Sequence, residues 1–519
     1  MGDSKANGRM KRRRPMKKKF LALVLTLSMV LSLVPMTALA AGDQSAGEPK
    51  QETQADVQVG QKEPTASVAE EEPTQDEQKT ETQETSASEF TVDGLTYEVQ
   101  DDAESVKVIK WDKVAESVTI PVTVSNNGVT YKVSSLTTNN VKLFQNQKGL
   151  KSINIEAKVT TLANSMFYGC SGLTEVTLPD TLEIVPIGAF QGCTNLTSIT
   201  LPQNVKEVGA SAFEKSGLQT IVIPSGVTKI QNSTFANCSN LQTISGLENV
   251  NSIGQKAFYQ CTSLTEVTLP DTLEIVPIGA FQGCTNLTSI TLPQNVKEVG
   301  ASAFEKSGLQ TIVIPSGVTK IQNSTFANCS NLQTISGLEN VNSIGEKAFY
   351  QCISLSTIEG LHQLKTIDTQ AFFQCAIGTG IKKIDIDWSK VESIGNQAFC
   401  IAFAKDAEEI VLDGNSFRNL KKIGDYAFAK ASNLTGTLVL PEGIGSIGMQ
   451  AFAVTGISRV VLPNSLISIG WWSFNSCENL ESVIIGNNNE SAISTLDKTS
   501  FRACNKLASV EINASKDQV

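Results

Sequence analysis

A chain of 519 residues with 40% hydrophobic content can bury a large core, so wholesale disorder is excluded. Charge is unevenly spread: residues 1–19 carry nine Lys/Arg and one Asp, residues 42–90 carry thirteen Asp/Glu and three Lys, and the whole chain is at −10. Setting the basic head (+8) aside leaves −18 for the rest, which excludes a nucleic-acid partner, because a polyanion must be met by Lys/Arg clusters.

The N-terminus has the order of an export signal. A basic stretch at 11–19 precedes an apolar run at 20–34, then Pro35 and Ala38-Leu39-Ala40. Fifteen residues broken by Ser28 and Ser32 are short for a hydrocarbon core of about 30 Å. Residues 1–40 are therefore expected to be a signal peptide cleaved near Ala40, leaving a secreted or surface-exposed chain with no membrane span. Residues 41–89 come next, rich in Glu, Gln, Thr and Pro. The stretch 42–89 has no Phe, Trp, Tyr, Leu or Ile, so it cannot offset its ordering entropy and is expected to be a disordered acidic linker.

From Phe90 the character changes. Val106, Val108, Ile109, Val118, Ile120, Val122 and Val124 lead to Asn126-Asn127-Gly128, a hairpin signal before Thr130-Tyr131-Lys132-Val133. Residues 90–143 are expected to form a β-rich N-terminal cap that covers the first coil of a solenoid.

The remainder of the chain is a repeat. Phe144, Phe167, Phe190, Phe213, Phe235, Phe258, Phe281, Phe304, Phe326, Phe349 and Phe372 are spaced by 22 or 23 residues. Phe399, Phe428, Phe452, Phe474 and Phe501 continue at 22 to 29. Such a period marks a solenoid. The unit reads L-x-x-I-x-L-P-x-x-V-x-x-I-G-x-x-A-F-x-x-C, clearest in Leu196, Ile199, Leu201-Pro202, Val205, Val208-Gly209 and Ala212-Phe213. Alternation at Ile199 and Leu201 predicts a short strand, Pro202 ends it, and the Phe plugs a helical turn. The fold expected over 144–519 is mainly β: about 16 coils of 22–29 residues, a parallel sheet on one face and short helical turns opposite.

The unit resembles the BspA-like leucine-rich repeats, a 23-residue bacterial class found on cell-surface proteins, over about 118–512. The resemblance implies adhesion, meaning binding of host matrix protein, another cell or a glycan. Residues 173–254 also recur unchanged as 264–345, an offset of 91 and a tandem duplication. A unique catalytic centre is not expected inside a tract present twice.

Ten of the eleven cysteines, Cys193, Cys238 and Cys261 among them, stand three residues after an anchor Phe, and Cys400 alone is offset. Ser216 and Ser307 occupy the position where Cys is missing, so it wants a small side chain. This register predicts a buried column of free thiols packed behind Phe190, Phe213, Phe235 and Phe258. It predicts neither disulfides nor a metal site, since no C-x-x-C occurs.

Catalytic material is sparse, and no cofactor is expected. His362, the one histidine, reads as loop surface. Glu359 and Asp385 would be neighbours if their strands stack in register, with Asp387 two residues on and Lys383 and Glu409 nearby. That acidic patch suits solvated charge, a weak cation site or, as a rival function, a polysaccharide hydrolase. Trp471-Trp472, like Tyr426, occupies a variable position just before an anchor Phe. These rings are either contact platforms for a partner or core packed beneath 486–499. Small exposed positions such as Ser198/Thr200 and Thr243/Ser245 predict a flat, hydroxyl-rich strand face. Leu178-Pro179-Asp180-Thr181 opens like a sorting signal but lacks the glycine and apolar tail that complete one. The primary expectation is a monomeric, adhesin-type protein that binds an extracellular protein or glycan; the third is a passive structural spacer.

Overall fold

A computed structural model describes residues 89–112, 114–136, 143–487 and 490–513. The expected signal peptide at 1–40 and the linker at 41–89 lie outside the described residues, except Glu89.

The N-terminal sheet is built from hairpins. Strands β1 (Glu89–Val92) and β2 (Leu95–Val99) join antiparallel across Asp93-Gly94, and β3 (Ser105–Trp111) pairs antiparallel with β2. Strand β4 (Ser117–Ile120) comes next, then β5 (Thr123–Asn126) and β6 (Val129–Ser135), which join antiparallel across Asn127-Gly128. Both residues of that turn have positive φ (50° and 81°), as a two-residue hairpin turn requires. The sheet order is β1-β2-β3-β6-β5. Strand β4 leaves it and pairs parallel with β7 (Ser152–Ile155), which pairs with β8 (Glu175–Thr177). The repeat ladder therefore begins inside 90–143, at β4. Trp111 is buried with its ring 5.2 Å from that of Phe144, which covers the first anchor.

Each coil has three sides. On the first, a strand such as Thr220–Val222 turns Ile221 inward and leaves Val222 exposed, and Pro224 ends it. On the second, a two-residue strand such as Lys229–Ile230 buries Ile230 and forms its own parallel ladder, pairing with Ser252–Ile253. The single sheet expected from the sequence is thus two ladders. On the third, the anchor Phe points inward.

That third side is not helical. Among the described residues there is no α-helix, only 3-10 turns at Cys375–Ile377 and Trp388–Lys390. Instead, the backbone N–H groups of Ser211, Phe213 and Lys215 donate to the carbonyls of Asn232, Thr234 and Ala236 in the next coil at 3.0, 2.9 and 2.9 Å. Ser211 and Lys215 take left-handed φ (53° and 58°), and this alternation aims every second N–H along the array. Bonds of this kind link each anchor segment to the next, from Phe144 to Phe501.

The core is a column of sixteen stacked rings. Successive anchor rings from Phe144 to Phe501 lie 5.1–5.7 Å apart and within 3–16° of parallel. Two of the long coils, from Phe372 to Phe399 and from Phe399 to Phe428, add Trp388 and Phe417 to the core. Trp388 packs edge-on to Phe399, Phe417 and Phe428 at 5.6–5.7 Å.

The first-side ladder is less continuous than this spine. Residues 198–200 and 289–291 form no strand, and 266–268 make one isolated bridge, Thr243 to Glu266.

Candidate interaction surface

The anchor segment decides what faces outward on the third side. The residue before the anchor is buried, those three and two before and two after lie mostly at the surface, and the one after is a surface side chain in some coils, such as Glu214, and buried in others, such as Ala236. Through most of the array these are Ser, Gln, Lys, Glu or Asn, and they pair coil to coil, as in Gln191 Nε2 donating to Glu214 Oε2 at 3.0 Å.

From Phe349 onward several of these positions carry aromatic or aliphatic side chains, as Tyr168, Ile187, Tyr259 and Ile278 do earlier, and here they pack on one another. Tyr350 and Phe373, each one residue after an anchor, stack at 5.5 Å. Phe373, Cys400 and Ala429 form a small cluster separate from the main core, with Tyr350, Ile401 and Tyr426 packed on it. This assigns Cys400, the one thiol outside the column, to the outer face. The sequence alone points to Tyr426 but not to Tyr350, Phe373 or Ile401; the shared offset of Tyr350 and Phe373, one residue after an anchor Phe, is the available signal.

Tyr426 and Trp472 hold the same position, two residues before an anchor, with left-handed φ of 56° each. Both are half-buried. The Tyr426 hydroxyl contacts Met449 Sδ at 4.0 Å, and burial with the nearby Asp425 carboxylate raises its pKa. Trp471 is 63% exposed, so it is not packed beneath 486–499. The arrangement offers aromatic rings on a backbone fixed by the inter-coil bonds.

The acidic residues separate. The strands Thr357–Leu361 and Lys383–Ile386 pair in register through Ile358 and Ile384, then slip before Leu361. Gly360, with φ of 88°, makes the bulge. As a result Glu359 Oε1 meets Lys383 Nζ at 3.3 Å, while Asp385 Oδ2 meets His362 Nε2 at 2.7 Å. His362 is exposed, as expected, but it has this partner. Asp387 accepts from the Ser389 hydroxyl at 2.6 Å, which lowers its pKa. Each carboxylate has its own partner, and among the described residues no group of His, Cys, Asp or Glu is placed to hold a metal ion.

The cysteines form the expected column. All eleven are free and all but Cys504 are buried. Cys193, Cys238 and Cys261 donate S–H to the carbonyls of Phe167, Phe213 and Phe235, one coil back, at 3.2, 2.9 and 3.1 Å. Burial pushes most of the thiols up, Cys170 and Cys238 to about 11 and Cys284 to about 12, whereas a hydrogen bond with Cys504 pulls Cys477 down to about 7.

The model of the BspA type leucine-rich repeat region matches this chain in six copies, over 127–242, 160–277, 251–378, 333–418 and 392–519. The chain belongs to the BspA-type leucine-rich-repeat family. Among solved structures, a leucine-rich repeat protein from Bacteroides ovatus ATCC 8483 is 25% identical, with a TM-score of 0.61 over 82% of this chain and 99% of its own. A leucine-rich cell surface protein from Faecalibacterium prausnitzii A2-165 is 21% identical, with a TM-score of 0.40 over 83% of this chain and 96% of its own. A comparison with curated proteins finds no match. In this BspA-type protein, no helix of the described residues is long and apolar enough to cross a membrane.

Proposed function

We propose that this BspA-type protein is a secreted or surface-exposed adhesin, a monomer that binds an extracellular protein or glycan through the outer face of its anchor segments. The observation that carries this is the aromatic patch on that face, where Trp471 is exposed beside the half-buried Trp472, Tyr426 and Met449. Rigid amphipathic rings give contact area at little entropic cost and are frequent energetic centres of interfaces. Export through cleavage near Ala40 belongs to the same reading; N-terminal sequencing of secreted protein should find Ala41 first.

Arrays of matrix proteins and glycans test the binding role. The native chain should bind at least one class, and Trp471→Ala should weaken that binding while stability stays within about 0.5 kcal/mol, as for a surface residue. An array with no binder supports the spacer instead. Polysaccharide turnover that Asp385→Ala abolishes would support the hydrolase, which the separate partners of Glu359, Asp385 and Asp387 disfavour.

A further inference from the structure

Identical sequence packs in two ways along the duplicated tract. Residues 243–248 recur as 334–339, and residues 266–272 repeat 175–181. In the outer contexts each segment is closed by a neighbour: Ile335 pairs with Ile358, and Val176 with Ile153. Where the duplication sets the two against each other, the bridge Thr243 to Glu266 forms and the coils then part. They meet again where Thr272 Oγ1 donates to Val250 O at 3.1 Å. Between those points no hydrogen bond joins residues 246–249 to 267–271.

The cause is a bent coil beside a straight one. Gly246 has φ of 83°, and a Cβ there would lie 2.1 Å from the Ile223 carbonyl oxygen, so its coil turns back towards the preceding one. Its twin Gly337 bends likewise (φ 78°), but Gly360 (φ 88°) stands 23 residues later and lets the next coil match the bend. At the junction that place is held by Leu269. A leucine resists the left-handed region, so its coil cannot match the bend.

The result is a slot of about 440 Å³ with Ile244, Leu247 and Leu269 in its floor. It meets a second hollow of about 250 Å³ at Thr268 and Asp271. Glu248 and Asp271 are exposed on opposite walls. Asp180, the twin of Asp271, is paired with Lys158 at 2.9 Å; at the junction the place of Lys158 is held by Asn249. Neither Glu248 nor Asp271 has an ion-pair partner among the described residues.

We propose that this slot receives a short extended peptide segment of a partner protein, with a lysine or arginine side chain seated between Glu248 and Asp271. The two carboxylates supply charge complementarity, and the backbone groups of Gly246 on one wall and Leu269 on the other, which bond to neither neighbouring coil, can bond an extended chain as a strand edge does. The floor takes the neighbouring apolar side chains. No aromatic ring lines either hollow, which disfavours a sugar. The junction that builds it occurs once in the sequence and is a product of the duplication. It is independent of the Trp471 face.

The test uses the full chain and a blocked hexapeptide, acetyl-Val-Thr-Lys-Val-Thr-Val-amide, titrated calorimetrically beside its glutamate-for-lysine twin. The lysine peptide should bind one to one, and the glutamate peptide at least tenfold more weakly. The double variant Glu248→Lys/Asp271→Lys and deletion of residues 173–263 should each lose tenfold or more. The deletion keeps both wall sequences, at 264–272 and 334–339, and removes only their meeting. Glu339→Lys should bind as the native chain does. The proposal is overturned if the lysine peptide does not bind, if the deletion or the double variant binds it unchanged, or if Glu339→Lys loses as much. Saturation by chitohexaose instead, lost in the same variants, would overturn it in favour of a glycan.

Discussion

The Cys193 thiol donates to the Phe167 carbonyl at 3.2 Å, and Cys170 does the same to Phe144 at 2.8 Å. The thiol column thus adds a second hydrogen bond to buried carbonyl groups that already accept a backbone N–H three residues on, from Gln147 to Phe144 and from Cys170 to Phe167.

Burial of that column sets a pH dependence. Cys170, Cys238 and Cys329 move from an ordinary 9.0 to about 11, chiefly through burial. The native state therefore holds these protons more tightly than the unfolded one. Their contribution is fully present below pH 9 and is lost as pH rises from about 9 to about 11. The melting temperature should fall by several degrees across that window, and less steeply in a Cys238→Ala/Cys284→Ala/Cys329→Ala variant. Equal slopes would show that the thiols do not carry the effect. Under native alkylation, half-exposed Cys504 should react before the others.

A ring removed from mid-column breaks two stacking contacts at once. Phe235 lies 5.7 Å from Phe213 and 5.7 Å from Phe258 and is fully buried. Phe235→Ala should cost about 3–5 kcal/mol in denaturant unfolding, and Phe235→Leu clearly less. A cost below about 1 kcal/mol would mean that the column is not the core.

Phe235 also shows how much can be read from the sequence. Anchor register and cysteine column both arise from side chains that must be small, apolar or aromatic at fixed spacing, so periodicity exposes them. The second ladder leaves no such trace, because Glu207–Val208 contributes two residues and one inward side chain, too few to make a pattern. The anchor segment reads as a helical turn because Ala212-Phe213 suits one. The bonds from Ser211, Phe213 and Lys215 to the next coil belong to backbone groups, which leave no mark in hydropathy. Strict register predicts neighbouring carboxylates at Glu359 and Asp385, and Gly360 is the one residue that undoes it. The exposed face of Trp471 is legible only as an oddity in composition.

The left-handed residues give a sharper check on the anchor segment. Ser211 sits at φ of 53°. Ser211→Gly should leave stability unchanged or raise it slightly, whereas Ser211→Val, β-branched and ill-suited to this region, should cost about 1–3 kcal/mol. If both substitutions behave alike, the alternating turn is wrong and a helical turn is restored.

Deleting residues 173–263 tests the whole architecture. The cut joins Gly172 to Leu264, which leads into the same sequence as Leu173 does, so every strand, ring and thiol keeps its register. Asp271 then takes the place of Asp180, opposite Lys158, and regains an ion pair of the 2.9 Å kind seen there. Four coils vanish, and the array shortens by about 20 Å at the usual strand spacing. Because solenoid stability approximates a sum of coil and nearest-neighbour terms, the shortened protein should fold and unfold somewhat more readily. Its circular dichroism should match the native spectrum per residue, and small-angle scattering should report the loss of length. A globular core stripped of 91 internal residues would collapse, so an aggregated or random-coil product would contradict the continuous spine from Phe144 to Phe501.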